Sequence, residues 1–551
     1  MKATRVTIVF ICFLLFSFLI VARLTFLQVV KGSIYKAQAK GQQEIFEQIS
    51  GTRGDIYLQD QGNKILAATN QSTQYLYLVP QDVKNDEEMA EKLSEIVDID
   101  KDIIINKLSN KNSLFSLIKR KLCKAEVEAI EKLEFDGIYL GEELIRYYPH
   151  NTLASDVLGF VNNDNFGQYG VEGHFNDYLQ GESGWTKVAY GPFGKTLEGD
   201  GNLTGADVVL TIDKNIQEEV ERVLVEYSEK FEYDSAQVVV MDPFTGKVLA
   251  MADFPSYDPN LFDNSSIESF RNKAIQSLYE PGSAFKAITL ASVLNEGKIT
   301  PETTYVDEGY VVVSGYKLSN YENRVWGERT MTEVLERSIN TGVIFAQEQI
   351  PHNVFEKYLE RFGIFEETGI ELQGETYSNN SEFKKGWEVN YATASFGHGI
   401  ETTLIQMASA YCALANGGEL VNPQIIDGEV VKERIILQET SDDIVRMLVS
   451  VAENGYSKPA VVDGYHIAGK TGTSQIPYSS LGMNKAGYSD QTWQSFAGFA
   501  PAFDPRFVIA VKLDNPNTKS SSDSTTYVFK DIAKYILDYW QIAPDKVDIE
   551  E

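Results

Sequence analysis

Three short motifs carry the residue types that acyl chemistry needs. In Glu280-Pro281-Gly282-Ser283-Ala284-Phe285-Lys286, a serine and a lysine stand three residues apart where a helical pattern begins. That spacing puts the hydroxyl and the amine on one helix face. A serine attacks a carbonyl only when a base takes its proton, and lysine is such a base only when burial or a second cation lowers its pKa. The positive end of the helix dipole favours the negative charge that develops on the serine oxygen. Ser338-Ile339-Asn340 ends the helical run Met331 to Arg337, with a hydroxyl to relay a proton and a carboxamide to hold a peptide amide. Lys470-Thr471-Gly472-Thr473 sits inside the strand-like run Tyr465 to Gln475. A glycine inside a strand marks a bulge or the close approach of another backbone, here a peptide added to the sheet edge. Lys470 and the two threonines would then receive its carboxylate.

Each motif alone is weak. Ser33/Lys36, Ser116/Lys119, Ser314/Lys317 and Ser381/Lys384 repeat the Ser-x-x-Lys spacing, and Ser378-Asn379-Asn380 repeats Ser-x-Asn. Ser and Asn at a helix end are ordinarily caps or turn formers. The weight comes from the three motifs occurring together, in order, each on the element type that its chemistry requires.

The positioning elements are legible around them. Apolar runs Ser235 to Met241 and Lys247 to Ala252, joined by the turn Asp242-Pro243-Phe244-Thr245-Gly246, predict a hairpin. Helical patterns follow at Ser283 to Asn295, Thr332 to Gln349 and Leu404 to Ala415, the last stopped by Asn416-Gly417-Gly418. Strand-like runs return at Tyr465 to Gln475, Ser495 to Ala500 and Phe507 to Leu513, and Tyr527 to Tyr539 closes as a helix. Strands, then helices, then strands predict an antiparallel sheet flanked by helices. Residues 31–205 read as irregular α+β, with a β-like run Gln74 to Val79 and helices at Asp86 to Val97 and Lys124 to Leu133. Glycine-rich turn signals at Gly181 to Gly184 and Gly199 to Gly201 put a domain boundary near residue 205.

With 551 residues, 43% hydrophobic and 23% charged, the chain is a folded, multidomain protein. A formal charge of −30 argues against a nucleic-acid partner, since phosphate binding needs a basic surface. Cys12, Cys123 and Cys412 are too far apart and too few for a disulfide framework or a zinc site, and the five histidines show no metal-binding spacing. From Val6 to Ala22 only Thr7 and Ser17 interrupt an apolar run, which resumes after Arg23 to about Val30. That length predicts an uncleaved single-pass anchor over 6–30 contacting membrane lipid, behind a short cytoplasmic tail, 1–5. Lys2 and Arg5 before the span and Lys31, Lys36 and Lys40 after it leave the charge rule undecided, so the orientation rests on the shortness of the amino-terminal side.

Taken together, the three motifs resemble those of the penicillin-binding acyl-serine transferases. Arg53-Gly54-Asp55-Ile56, Arg146-Tyr147-Tyr148-Pro149, Gly170-Val171-Glu172, Thr211-Ile212-Asp213 with Ile216-Gln217, Pro255-Ser256-Tyr257-Asp258-Pro259-Asn260, Thr393-Ala394-Ser395-Phe396-Gly397 and Phe496-Ala497-Gly498-Phe499-Ala500-Pro501 are similar to one branch. That branch is the class B, or monofunctional, penicillin-binding proteins, which are peptidoglycan D,D-transpeptidases of division, elongation or sporulation. The resemblance implies a mixed α and β multidomain fold: the anchor, an elongated pedestal of the dimerisation type over 31–205, a β-lactamase-like transpeptidase domain over 206–541 and an acidic tail, 542–551. Two positions depart from the pattern. Leu58 stands where the first pedestal motif usually has Asp, the nearest acid being Asp60, and His398 stands where a Gln is usual. A structural loop histidine is the expected role; in the groove it would make activity vary near neutral pH.

The implied activity is cross-linking of stem peptides ending in D-Ala-D-Ala through an acyl-serine, outside the cytoplasm of a bacterial cell and without metal or organic cofactor. Ser283 is then the nucleophile and Lys286 its base, with Lys470 depressing the Lys286 pKa. The resemblance makes the Ser283 and Thr473 backbone N–H groups the oxyanion hole. It gives Ser338 the leaving-group proton and Asn340 the donor amide, and it has Thr471, Gly472 and Thr473 bind the substrate with Lys470. β-Lactams should acylate Ser283, and a SEDS-family glycosyltransferase is the implied partner. A D,D-carboxypeptidase, a β-lactamase and a non-catalytic β-lactam-binding scaffold or sensor are the competing readings.

Overall fold

The computed structural model describes residues 2–30, 44–49, 51–133, 135–181, 184–191, 194–198 and 204–546. The chain folds as two units, Met1–Gly54 with Asp177–Ala206, and Asp55–Asn176 with Asp207–Glu551. The first unit begins with a helix, Lys2–Thr25, continued by a π turn, Phe26–Val30. The expected anchor falls on this stretch, where the described side chains, Phe13, Leu14, Phe16 and Phe18 among them, are exposed. Among the described residues no helix is long and apolar enough to cross a membrane. The same unit holds an antiparallel sheet, Glu44–Ile49 on Gly184–Gly191 on Gly194–Glu198. Two strands therefore run through the glycine-rich stretch whose turn signals predicted a boundary; residues 182–183 and 199–201 of those signals lie outside the described residues.

In the second unit, a 16-residue strand, Asn63–Leu78, is the spine of the non-catalytic sheet. It pairs antiparallel with Ile56–Asp60, Ser116–Lys119 and Ile138–Tyr147, and Val208–Asp213 joins parallel to Ile56–Asp60. The predicted run Gln74 to Val79 is only the end of this strand. Its middle, Thr69-Asn70-Gln71-Ser72-Thr73, is polar and half exposed, so it lacks the apolar alternation that marks a strand in sequence. Helices Asp86–Val97, Lys101–Leu108 and Lys124–Glu131 cover the sheet through Met89, Leu93, Ile104 and Ile130. Leu58 is fully buried, and the Asp60 Oδ1 accepts from Asn215 Nδ2 at 2.8 Å.

The catalytic sheet has five antiparallel strands: β1, Ser235–Met241; β2, Val248–Phe254; β3, Ala468–Pro477; β4, Tyr488–Ala500; and β5, Phe507–Asp514. Their order is β2-β1-β5-β4-β3, so β3 is an edge. All seven residues of β1 are buried, because helices cover both faces of the sheet. On one face lie α1, Lys214–Phe231, and the last helix, Thr525–Tyr539, joined through Val220, Leu224, Val528 and Ile532. Asp213 caps α1 by accepting from the Asn215 and Ile216 amides. On the other face lies a helix buried at all twelve residues, Leu404–Ala415, begun by a Thr403/Gln406 capping box.

Beside that buried helix run α2, Lys286–Asn295; α3, Met331–Glu336; and α4, Asn340–Gln347. One helix over Thr332 to Gln349 was the expectation; the chain breaks it at Arg337-Ser338-Ile339, with Ser338 at φ 55°. No proline or glycine announces this break. A non-glycine residue in the left-handed region costs about 1 kcal/mol or more, and such outliers gather at functional sites.

Candidate active site

Ser283 sits on a single 3-10 turn, Gly282–Phe285, that runs into α2, and the Lys286 amide closes the turn on the Ser283 carbonyl. Side chains three apart eclipse on such a turn. The expected pairing of Ser283 with Lys286 on one face thus follows from the backbone. Gly282 takes φ +55°, and a Cβ there would lie 2.9 Å from the Thr473 carbonyl oxygen. At Gly472 a Cβ would lie 2.4 Å from the Pro281 carbonyl and 2.4 Å from the Ser495 hydroxyl. The Ser283 turn and β3 therefore touch backbone to backbone. No bulge is present here, since Lys470, Thr471, Gly472 and Thr473 pair in unbroken register with Ala497, Phe496, Ser495 and Gln494.

The Lys286 ammonium position is fully buried. Its Nζ donates to the Ser338 carbonyl at 2.6 Å, to Ser338 Oγ at 3.2 Å and to Asn340 Oδ1 at 2.6 Å. Burial holds its pKa well below the ordinary lysine range, and the nearby charge of Lys470 pushes the same way. A deprotonated amine keeps two N–H donors and one lone pair, so the Ser338 carbonyl and Asn340 Oδ1 accept from it while the Ser338 hydroxyl donates to it. Ser338 and Asn340 reach Lys286 because α3 breaks where it does: the left-handed turn aims the Ser338 carbonyl and hydroxyl at one amine. Asn340 is held from behind, its Nδ2 donating to the Ser319 carbonyl at 3.0 Å.

Lys470 is also fully buried and, among the described residues, bonds within its own dipeptide, to Thr471 O at 3.1 Å and Oγ1 at 3.2 Å. Burial pushes it down to about 7. Thr473 Oγ1 lies 2.8 Å from Ser521 Oγ and accepts from the Ser521 amide at 3.2 Å. Ser283, Ser338, Asn340, Thr471 and Thr473 line one cavity of about 490 Å³. The remaining predicted residues, Lys286, Lys470 and Gly472, form the framework beneath it.

The other motif copies come to nothing. Ser116/Lys119 lies on a strand and Ser314/Lys317 on a hairpin, where three residues apart is not one face. Ser378 Oγ donates to Glu401 Oε2 at 3.0 Å, a local loop contact. Ser33/Lys36 lies outside the described residues.

His398 is in the groove wall, not merely in a loop. Burial, with Lys286 nearby, lowers it to about 4, so the imidazole stays neutral near pH 7 and supplies no titration there. Two residues were missed in the sequence. Ser521 lies in the hydroxyl run Ser520-Ser521-Ser522, whose placement just ahead of the last helix was the available signal. Glu280 precedes the nucleophile by one turn; its carboxylate accepts from the Gly399 amide at 3.0 Å and from Tyr488 OH at 3.0 Å, and its carbonyl accepts from Ser474 Oγ at 2.6 Å. Burial pushes its carboxyl up to about 7.

The sequence model described as Penicillin binding protein transpeptidase domain matches residues 236–534, and that of the Penicillin-binding Protein dimerisation domain matches residues 48–210. Stage V sporulation protein D of Bacillus subtilis (strain 168) is 32% identical over 524 residues, which cover 91% of this chain and 80% of that protein. Probable peptidoglycan D,D-transpeptidase PenA of Neisseria gonorrhoeae is 30% identical over 510 residues, covering 90% and 86%. The crystal structure of penicillin binding protein 3 from Mycobacterium tuberculosis, complexed with aztreonam, shares the fold with a TM-score of 0.69 at 23% identity, covering 91% of this chain and 98% of that one. A transpeptidase-domain match across more than half of the chain, with relatives at 30% identity or above across most of their length, means that the chain belongs to the class B penicillin-binding proteins.

Proposed function

We propose that this chain is a peptidoglycan D,D-transpeptidase that cross-links stem peptides through an acyl-serine intermediate. The observation that carries the reading is the buried, low-pKa Lys286, one 3-10 turn from Ser283 and hydrogen-bonded to Ser338 and Asn340. Family membership and the names of the relatives support it.

Acylation then runs as follows. Ser283 Oγ gives its proton to Lys286 and bonds to the carbonyl carbon between the two D-Ala residues. The Ser283 and Thr473 N–H groups hold the oxyanion. The C–N bond breaks as Ser338 passes a proton to the departing D-Ala amine, while Asn340 holds the donor peptide amide. Lys470, Thr471 and Thr473 receive the terminal carboxylate, and Gly472 lets the peptide chain lie along the β3 edge. In the second half an amine of another stem peptide attacks the ester carbon, Ser283 leaves with a proton, and the cross-link is closed. A β-lactam offers the same amide in a ring, so its opening acylates Ser283 without releasing a group.

The wider arrangement belongs to the same proposal. Residues 6–30 would anchor the chain in the bacterial cell membrane, with 1–5 cytoplasmic, 31–205 as pedestal and 206–541 as the extracytoplasmic transpeptidase domain ahead of the tail 542–551. The partner would be a SEDS-family glycosyltransferase. The test incubates the full-length chain with a fluorescent penicillin beside Ser283→Ala. Covalent label on the wild type alone supports the acyl-serine, and transfer of a stem-peptide acyl group to an amine over water then distinguishes a transpeptidase from a carboxypeptidase. Acylation of the wild type by neither penicillin nor a stem-peptide thioester would leave a scaffold.

A further inference from the structure

The lining of the groove is net basic, although the whole chain carries −30. The cavity that holds Ser283 takes in Arg324, Arg337 and Lys519 and a single carboxylate, Glu322. Glu322 is already engaged, by Arg324 Nη2 at 2.5 Å and Lys519 Nζ at 3.0 Å, and these partners hold its carboxyl below the ordinary range, Lys519 first. Arg324 also donates to Tyr456 OH at 2.5 Å.

Arg337 differs from both. It is exposed, directly precedes Ser338, and no ion pair joins its guanidinium to a carboxylate of the described residues. It lies over the Trp326 ring, 5.8 Å from the centroid. A cation–π approach to the ring leaves the fork of donors free, and that fork suits bidentate capture of a carboxylate. Arg337 directly precedes the left-handed Ser338, which contacts Lys286, so its backbone is fixed next to the residues that line the Ser283 cavity. The terminal D-Ala carboxylate does not need it, because the proposed function assigns that group to Lys470, Thr471 and Thr473.

We propose that Arg337, backed by Arg324 and Lys519, is a subsite for a second carboxylate of the peptide substrate, on a residue other than the terminal D-Ala. The inference rests on the transpeptidase reading above. Two sources share this chemistry: the extra carboxylate of a diamino acid at the third residue, and the free α-carboxylate of a γ-linked glutamyl residue at the second. The cavity holds two more cations than carboxylates, so an amidated, neutral stem peptide leaves Arg337 unused.

The test measures acylation of the full-length chain in detergent by stem-peptide thioesters in two pairs, each pair differing only in whether the third-residue or the second-residue carboxylate is free or amidated. Wild type is expected to favour the free acid in one pair by about tenfold in kcat/KM, as for a charge-assisted bidentate contact. Arg337→Gln should erase most of that preference by slowing the acid while leaving the amide within about twofold, and Arg337→Lys should keep part of it, since the charge survives and the fork does not. Raising salt should shrink the wild-type preference. Which pair shows it identifies the source. Equal loss on acid and amide in Arg337→Gln, or no wild-type preference in either pair, would overturn the subsite. Fluorescent-penicillin labelling of Ser283 reports separately on fold and acyl-serine chemistry: label on the wild type with no acid preference sinks the subsite alone, and acylation by neither penicillin nor thioester sinks both. If Arg337→Gln does not label, Lys519→Gln is read in its place, with a smaller loss of the same acid preference expected and no loss of it counting against the subsite.

Discussion

Two buried basic sites in the second unit handle their charge in opposite ways. In one, Arg146 Nε meets Glu172 Oε1 at 2.6 Å with side chains 2% and 0% exposed, and Tyr148 OH adds a hydrogen bond to the same oxygen at 3.3 Å. In the other, Lys286 and Lys470 are as deeply buried, yet their partners are carbonyl, hydroxyl and carboxamide oxygens. Burying a charge is costly unless it is paired. Arginine cannot give up its proton, so the first site needs a carboxylate; lysine can, so the second is satisfied by a falling pKa. The difference separates a cation that holds structure from one that is prepared to accept a proton.

Breaking each site in turn should give opposite phenotypes. Lys286→Met removes the base and is expected to slow acylation by fluorescent penicillin by about 10³–10⁴-fold, at a stability cost of about 1–3 kcal/mol, since the Ser338 carbonyl and Asn340 Oδ1 lose a donor but no charge is left buried. A large loss of stability in that variant would deny the distinction. Glu172→Ala removes the buried carboxylate that faces the Arg146 guanidinium and should lower stability by about 3–5 kcal/mol in chemical denaturation. The fraction still folded should acylate at the wild-type rate, and a slowed rate there would mean that the structural pair also tunes the site.

The two lysines can be sharpened against each other by pH. Lys470→Gln removes a positive charge that depresses Lys286, so the Lys286 pKa rises and the acidic limb of the acylation-rate profile should move to higher pH. An unmoved limb would mean that burial alone sets the base. For stability the sign is also fixed. Lys470 titrates at about 7 when folded and about 10.4 when unfolded, so its contribution is present above the unfolded value and lost as pH falls through about 7. The wild-type midpoint should therefore rise between those limits, and in Lys470→Gln it should rise less.

Much of the catalytic sheet could be read from sequence because it is buried on both faces: Ser235 to Met241 and Phe507 to Leu513 are mostly apolar runs, interrupted by Gln237 and Lys512. The non-catalytic sheet is half exposed, and its long strand, with the polar middle Thr69 to Thr73, left no such trace. At the site, the residue types and their order gave the constellation, since Ser283, Lys286, Ser338, Asn340 and Lys470 each sit on a distinctive triplet or tetrad. What could not be read was tertiary. Glu280, Ser521 and Tyr488 come from separate elements, Ser521 meeting Thr473 and Tyr488 meeting the Glu280 carboxylate. The break at Ser338 exists because three groups must converge on one amine, a demand that helix propensity does not encode.

That break supplies a smaller test. Ser338→Ala and Ser338→Gly both delete the hydroxyl, and both should slow acylation by about 10²-fold if Ser338 relays the proton. Only glycine relaxes the φ of 55°, so the glycine variant should be more stable than the alanine one by about 1 kcal/mol. Equal midpoints would mean that the left-handed turn is not strained. Equal rates between alanine and wild type would leave the Ser338 carbonyl, which no side-chain change removes, as the contact that matters to Lys286.

The smallest effect is expected at Glu280, where an acid is buried three residues before Ser283. Burial raises it to about 7, while the Gly399 amide and Tyr488 hydroxyl favour its ionised form and Glu401 opposes it. Tyr488 remains a phenol donor, since its own pKa is pushed up by burial, and His398 is neutral. Glu280 therefore changes charge in the neutral range while keeping an acceptor oxygen for both donors in either state. Its folded pKa is raised, so its stabilising contribution is present below about 4.3 and lost as pH rises through about 7, the reverse of Lys470. Glu280→Gln keeps the acceptor and removes the titration. Acylation at pH 6 should stay within about threefold of wild type, about the cost of one weakened hydrogen bond, and the variant's midpoint should not decline between pH 5 and 8 as the Glu280 contribution makes the wild type do. If Glu280→Gln instead slows acylation as much as Lys286→Met does, the carboxylate belongs to the proton path, and the contrast between paired and deprotonated cations would have to admit an acid as the second base.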